Sequence, residues 1–183
     1  MFSLAPFLYF EKQQGRLCGQ HCLNNLLQGF YFSANDLATI AQMLDRKEQS
    51  LHSISESGNM DETGFFSLQV LEVALNNFGL SMELCKIDNS FSFHQAYIVN
   101  EREHWYAIRK FGKDYYMLNS LLDSPKVVDL RDYFRKEYLF AIGGQFPLCQ
   151  ADAELEKEAI LDELANRPLD HDEIRRQRLQ RFK

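Results

Sequence analysis

No stretch of this 183-residue sequence approaches the ~18 uninterrupted apolar residues of a membrane-crossing helix, so no transmembrane segment and no membrane partner are expected. The apolar opening, Phe2 to Phe10, has neither a basic flank nor a cleavage site and contains Pro6. It therefore reads as an arm or edge strand and not as a secretory leader. Cysteine is sparse and scattered, at Cys18, Cys22, Cys85 and Cys149. Such spacing is no disulfide framework and reads as reduced thiols, the state expected in cytosol or nucleus. Positive charge is in deficit: the formal net charge is −6, which argues against a nucleic-acid binder with its basic face. There is no internal repeat and no low-complexity tract, and a 45% hydrophobic content is too rich for a disordered chain. The length suits one domain able to bury its own core, expected to act as a monomer.

The pattern changes character along the chain. Leu17, Leu23, Leu26 and Leu27 give a first helix, 17–27, a buried face, with Gly29 as its stop. Ser33 or Asn35 caps a second, in which Leu37, Ile40, Ala41 and Leu44 share a side. Residues 45–58 are polar and weakly patterned, and are expected to form a mobile helical excursion or loop. A turn at 59–64 leads into a third helix with Phe66, Val70, Val73, Ala74 and Leu75 inward and Gly79 closing it. Short segments rich in branched and aromatic residues follow, at 82–87, 94–99, 104–110 and 115–119, and read as strands. Phe111-Gly112-Lys113-Asp114 is a hairpin turn between the last two. A short helix at 129–136 and a closing strand at 138–142 complete an α+β domain, expected to span residues 1–150. From Ala151 to Lys183 the chain reads as a charged helical extension, acidic first and then basic.

The chemistry centres on Cys18. A small Gly15 precedes it, and it opens the first apolar helix, where the positive end of the helix dipole favours thiolate. Much later come His104, directly before the only Trp, and Asn119 at the end of a strand-like segment. A Cys, then a His, then an Asn is the chain order of papain-type thiol hydrolases. In that scheme Cys18 is the nucleophile, His104 the base, and Asn119 the group that orients the ring. A turn at 111–114 sets His104 and Asn119 opposite each other at one end of a hairpin. A nearby imidazolium and the dipole would carry the thiol into the range of about 3.5–7.5. Gln13 and the Cys18 N–H would bind the oxyanion. Each part alone has a plainer reading: a buried small hydrophobe, a strand histidine, a strand-ending turn. Cys22, one turn deeper, reads as packing, and His21 is poorly aimed at the Cys18 sulfur. Cys18, His21 and Cys22 lack the spacing of a zinc knuckle. Tyr31, Phe32 and Phe78 are either core or an aromatic anchor for a protein partner.

Glu11-Lys12-Gln13, Leu17-Cys18, Gln20 to Gly29 and Tyr31-Phe32-Ser33 resemble the opening of a Josephin domain. The match continues through Gly58-Asn59-Met60-Asp61, Gly64-Phe65-Phe66-Ser67 and Gln69-Val70, then His104-Trp105, Tyr116 and Leu118 to Leu122, and covers about residues 8–150. The resemblance implies a papain-like cysteine protease fold, helices packed on an antiparallel sheet. It also implies a deubiquitinase that cleaves after the C-terminal glycine of ubiquitin, without a cofactor. Position by position, Cys18 matches the nucleophile, His104 the base, Asn119 the orienting residue and Gln13 the oxyanion-hole residue. The Asn, where small Josephin proteins carry Asp, places the chain nearer the ataxin-like branch. Tyr31, Phe32, Phe78 and Trp105 are then candidate ubiquitin contacts, and ubiquitin and ubiquitinated proteins the expected partners. Two features depart from that branch. Residues 34–57 are shorter than its helical hairpin, and 151–183 show neither its ubiquitin-interacting helices nor its glutamine tract. A ubiquitin-binding adaptor with a vestigial site, or a hydrolase of another ubiquitin-like modifier, are the alternative readings.

Overall fold

The computed structural model describes residues 3–52, 58–85, 94–133 and 138–166. Helices α1 (Cys18–Leu27), α2 (Ala34–His52) and α3 (Leu68–Asn76) precede strands β1 (Ser81–Leu84), β2 (Ala96–Asn100), β3 (Trp105–Phe111), β4 (Asp114–Leu118), β5 (Lys126–Val128) and β6 (Tyr138–Gly143); α4 (Gln150–Asn166) follows. The strands form one antiparallel sheet in the order β1-β6-β2-β3-β4-β5. This is the expected α+β arrangement.

Both sheet faces are covered, which is why β2 and β3 read as near-continuous apolar runs. Ala96, Ile98, Trp105, Ala107 and Phe111 point to the helical core with Leu23, Leu26, Val70 and Leu71. The alternate residues Tyr97, Val99, Tyr106 and Ile108 pack on the other face beneath Leu130. That two-sided burial follows from the strand's period of two.

Several boundaries differ from the sequence expectation. Helix α1 ends at Gln28, not Gly29: Gln28 itself adopts the left-handed cap (φ 64°). Its side chain makes that conformation tolerable by bonding the Tyr9 N–H and donating to the Tyr9 and Asn25 carbonyls. Ser33, not Asn35, caps α2, in a reciprocal box with Asp36: the Asp36 N–H donates to Ser33 Oγ, and the Ser33 N–H and O–H donate to Asp36 Oδ2. The helix then runs on to His52, the helical one of the two alternatives, helical excursion or loop, expected for 45–58. Arg46, Lys47, Glu48 and Gln49 are good helix formers, and buried Asn59 donates to Asp45 (2.8 Å) and Glu48 (3.3 Å). Residues 53–57 of that segment lie outside the described residues.

The N-terminal arm is no strand among its described residues. A 3₁₀ turn, Ala5–Phe7, buries Leu4 and Leu8 against the core. The short strand β5 had no counterpart in the sequence reading, and the expected helix at 129–136 is a 3₁₀ turn, Leu130–Tyr133, with 134–136 outside the described residues. The expected strand 82–87 is Ser81–Leu84, with Cys85 beyond its end and 86–87 outside the described residues. The basic end, 167–183, also lies outside.

Arg109 on β3 ties several elements together. It donates to the Leu26 carbonyl near the end of α1 (2.8 Å), lies over the rings of Phe111 and Phe146, and approaches Asp152 of α4 at 3.7 Å. Ala151 is fully buried beside it in the core.

Candidate active site

Cys18 is the first residue of α1, and the helix starts without a side-chain cap at Leu17. The orphan N–H groups of the first turn are thus left for other acceptors. Gly64 lets the loop after Met60 close on this point. Its left-handed backbone (φ 90°) and missing side chain allow contact with Leu17, whose Cδ2 would lie 2.9 Å from any Cβ there.

On the other wall, His104 immediately precedes β3 and Asn119 immediately follows β4. His104 Nε2 and Asn119 Oδ1 are 2.9 Å apart. The Leu121 N–H also donates to Asn119 Oδ1 (3.0 Å), which fixes that atom as the oxygen. His104 therefore carries its proton on Nε2, leaving Nδ1 as the acceptor. The pairing is diagonal and not directly opposite as expected. Ala107 pairs with Leu118, so one further step puts Asn119 across from Tyr106, two residues beyond His104. The His104 ring stacks on Tyr106 at 6.0 Å, which holds its plane.

Cys18 and His104 open onto one cleft of about 280 Å³, also lined by Gln13, Arg16, Asp61, Phe65, Arg102, Glu103 and Leu121. Cys18 is only 3% exposed. Burial pushes the Cys18 thiol above its ordinary range, against the pull of N–H groups of Trp105, Gly19 and Cys18 itself, and the Asp61 charge adds to the rise. The direction is opposite to the expected depression: desolvation outweighs the N–H groups that favour thiolate. Cys22 is buried deeper, with its thiol pushed still higher by the same cause.

Gln13 reaches the cleft on the arm that runs between α1 and the loop after β4. Its N–H donates to the Ser120 carbonyl (2.9 Å), and the Ser120 hydroxyl donates to Gln13 Oε1 (3.1 Å). Gln13 Nε2 donates to the Gly15 carbonyl (2.8 Å) and retains a second hydrogen. The arm is also held from the α1 side. His21 Nδ1–H donates to Glu11 Oε2 (2.6 Å), and His21 Nε2 accepts from the Gln14 N–H (3.4 Å). Asn24 and the Tyr9 hydroxyl donate to the same carboxylate. His21 is thus a strut of the arm.

Ser120 was missed by sequence reasoning. Its position next to Asn119 was the only available signal, since one dipeptide then holds both the base and the oxyanion candidate. The charged rim of Arg16, Asp61, Arg102 and Glu103 was also missed, because no spacing in the sequence joins these loops.

The four aromatic candidates divide. Tyr31 is 40% exposed and meets the Phe78 ring edge-on at 5.1 Å. Phe32, 6% exposed, packs on Phe78 from within at 5.6 Å. Trp105, 4% exposed, donates its indole N–H to the Phe66 carbonyl (3.0 Å) and stacks on Phe65. Phe32 and Trp105 therefore offer a partner almost no surface, and their place is in the core. Among the described residues no three metal-ligating side chains converge, and no helix is long and apolar enough to cross a membrane.

A profile of the family described as Josephin matches residues 13–142. The human (Homo sapiens) Ataxin-3-like protein is 39% identical over 179 residues, covering 82% of this chain and 50% of the relative. Human Ataxin-3 is 38% identical over 179 residues, covering 81% of this chain and 49% of its own. The Ataxin-3 homolog of Arabidopsis thaliana is 33% identical over 164 residues, covering 78% and 57%. The chain spans about half the length of the curated relatives it matches.

Proposed function

We propose that this chain, which belongs to the Josephin family, is a deubiquitinating thiol hydrolase that cleaves peptide and isopeptide bonds after the C-terminal glycine of ubiquitin. The family is one of ubiquitin-related, cysteine-protease-like hydrolases. The observation that carries the finer reading is the His104–Asn119 pair at 2.9 Å, opening onto the same cleft as a cysteine at an uncapped helix start.

In this reading His104 Nδ1 takes the Cys18 proton as the sulfur bonds to the glycine carbonyl carbon. The displaced electron pair moves to the carbonyl oxygen. That oxyanion is met by first-turn N–H groups of α1 and by the second hydrogen of Gln13 Nε2. The intermediate collapses, the C–N bond breaks, and His104 gives its proton to the leaving amine. Water then attacks the thioester, yielding its proton to His104, and the acid departs as Cys18 is regenerated. No cofactor enters. Asn119 keeps the imidazole in the required tautomer throughout. Ubiquitin and ubiquitinated proteins are the partners this implies, with cytosol or nucleus as the compartment that suits reduced thiols. Residues 1–150 form the catalytic domain in this reading, with the start of α4 packed against it through Ala151 and Leu155, and the chain from there to 183 is an extension.

A second reading, a ubiquitin-binding adaptor with slow turnover, is favoured by the raised Cys18 thiol and by the exposed Tyr31 ring on half-buried Phe78. Hydrolysis of ubiquitin carrying a C-terminal fluorogenic amide separates the two. The wild type should turn over. Cys18→Ala should abolish turnover while still binding ubiquitin, His104→Ala should lower it by about 10²–10⁴-fold, and Asn119→Ala should be milder. Binding without turnover in the wild type would leave the adaptor.

A further inference from the structure

We propose that the two-residue turn Arg102–Glu103 selects the leaving-group side of the substrate, taking a polypeptide with charged groups near its amine and not a small amine. The inference rests on the hydrolytic reading above. The connection between β2 and β3 is as short as a hairpin allows. The Glu101 N–H donates to the His104 carbonyl (3.0 Å) and the His104 N–H to the Glu101 carbonyl (3.1 Å), so only Arg102 and Glu103 lie between.

Both are left-handed, with φ of 52° and 58°. A turn with two left-handed positions favours Asn-Gly, because Cβ crowds the following carbonyl there, a cost Gly avoids and the short polar Asn side chain offsets by local hydrogen bonding. The only other left-handed non-glycine among the described residues is Gln28, whose side chain is bound to its own surroundings by three hydrogen bonds. Arg102 and Glu103 instead line the cleft that holds Cys18 and His104. A sterically costly turn that presents two long, oppositely charged side chains at a reaction site points to use of those side chains.

Their place in the chain says which end of the substrate they meet. His104 follows directly and is the group that protonates the departing amine. The turn before it therefore flanks the departing half. The acyl half lies toward the α1 N-terminus and Gln13, where the oxyanion forms. A fluorogenic amine is too small to engage the turn, whereas a polypeptide bonded through lysine carries neighbouring charges across it.

The test compares two substrates that share the ubiquitin acyl half. One carries a C-terminal fluorogenic amine, the other an isopeptide bond to a lysine of a second ubiquitin. The quantity read is the ratio of kcat/KM for the isopeptide to kcat/KM for the fluorogenic amide. Arg102→Asn with Glu103→Gly gives the turn the residues it favours. This variant should raise the urea midpoint and lower the ratio about tenfold, the loss of one or two charge-assisted contacts. Glu103→Lys, which keeps the turn free of added glycine, should also shift the ratio. A ratio within about twofold of wild type in both variants overturns the proposal, because the turn would then serve only to place His104. A wild type that hydrolyses neither substrate is a different result: it removes the hydrolytic reading itself, and this inference with it.

Discussion

At the scale of single residues, the contacts that hold the proposed base and the oxyanion candidate fall to two neighbours. Asn119 accepts from the base, and Ser120 holds the oxyanion candidate by both its carbonyl and its hydroxyl. The hydroxyl donates to Gln13 Oε1, which forces the amide to present nitrogen, not oxygen, elsewhere. Gln13→Ala should lower kcat by roughly 10²–10³-fold with little change in ubiquitin affinity. Ser120→Ala should lower kcat by roughly 10-fold, a fraction of the loss of the donor itself, and Ser120→Thr should restore most of it. In a Gln13→Ala background Ser120→Ala should cost nothing further, because the group it orients is gone. Steady-state kinetics of the four-member cycle check this, and equal losses in both backgrounds would assign Ser120 a different role. Cys18, His104 and Asn119 were legible as candidates from order and local pattern: a thiol opening an apolar helix, then a histidine and an asparagine at one end of a hairpin. Their diagonal pairing and the clamp on Gln13 were not, because both depend on register and on an arm that crosses the molecule.

At the scale of elements, apolar periodicity located α1, α3 and the central strands well, since each has a face buried in the core. It left the course of α2 beyond Leu44 open between helix and loop, because the helix loses its apolar stripe there. What continues it is polar: helix propensity and the Asn59 amide. Asn59 is buried, donates to Asp45 and Glu48, and accepts from the Ser67 hydroxyl that also caps α3. One side chain thus joins the second half of α2 to the start of α3. Asn59→Ala strands these partners and should cost about 1–3 kcal/mol. It should also speed amide exchange through residues 45–52 more than through α1. Urea denaturation and hydrogen exchange read the two effects; unchanged exchange in 45–52 would mean that propensity alone holds the helix. Strand β5 escaped notice, and the arm's 3₁₀ turn was not told apart from an edge strand, for the opposite reason. Three residues are too few to show alternation, and an arm fixed by side-chain bonds carries no period.

At the scale of the whole molecule, titration is governed by buried groups that keep their protons. Burial raises the thiols of Cys22 and Cys18, and pushes the Tyr97 phenol up to about 12. The unfolded chain releases these protons near about 8.5 for Cys and 10 for Tyr. Between those values and the raised ones the native state binds more protons than the unfolded state. The contribution of these groups to stability is therefore full below about pH 8 and is lost as pH rises. The urea midpoint, measured with reductant, should drop steadily from pH 8 to 11. Cys22→Ala should start lower, from the void it leaves, and fall less steeply between pH 8.5 and 10. A flat profile in the wild type would mean these groups ionise without opposing the fold.

The same burial bears on the central claim, that Cys18 and no other thiol is the nucleophile. It sits at an uncapped helix start in the His104 cleft, while Cys22 is sealed in the core one turn below. The most direct measurement is reaction of the native protein with ubiquitin bearing a C-terminal electrophile, followed by mass spectrometry of the digested adduct. The account predicts one covalent adduct, on the peptide containing both thiols, with fragmentation placing it on Cys18, and none in Cys18→Ala. An adduct on Cys22, Cys85 or Cys149, or tight binding with no adduct at all, would contradict it.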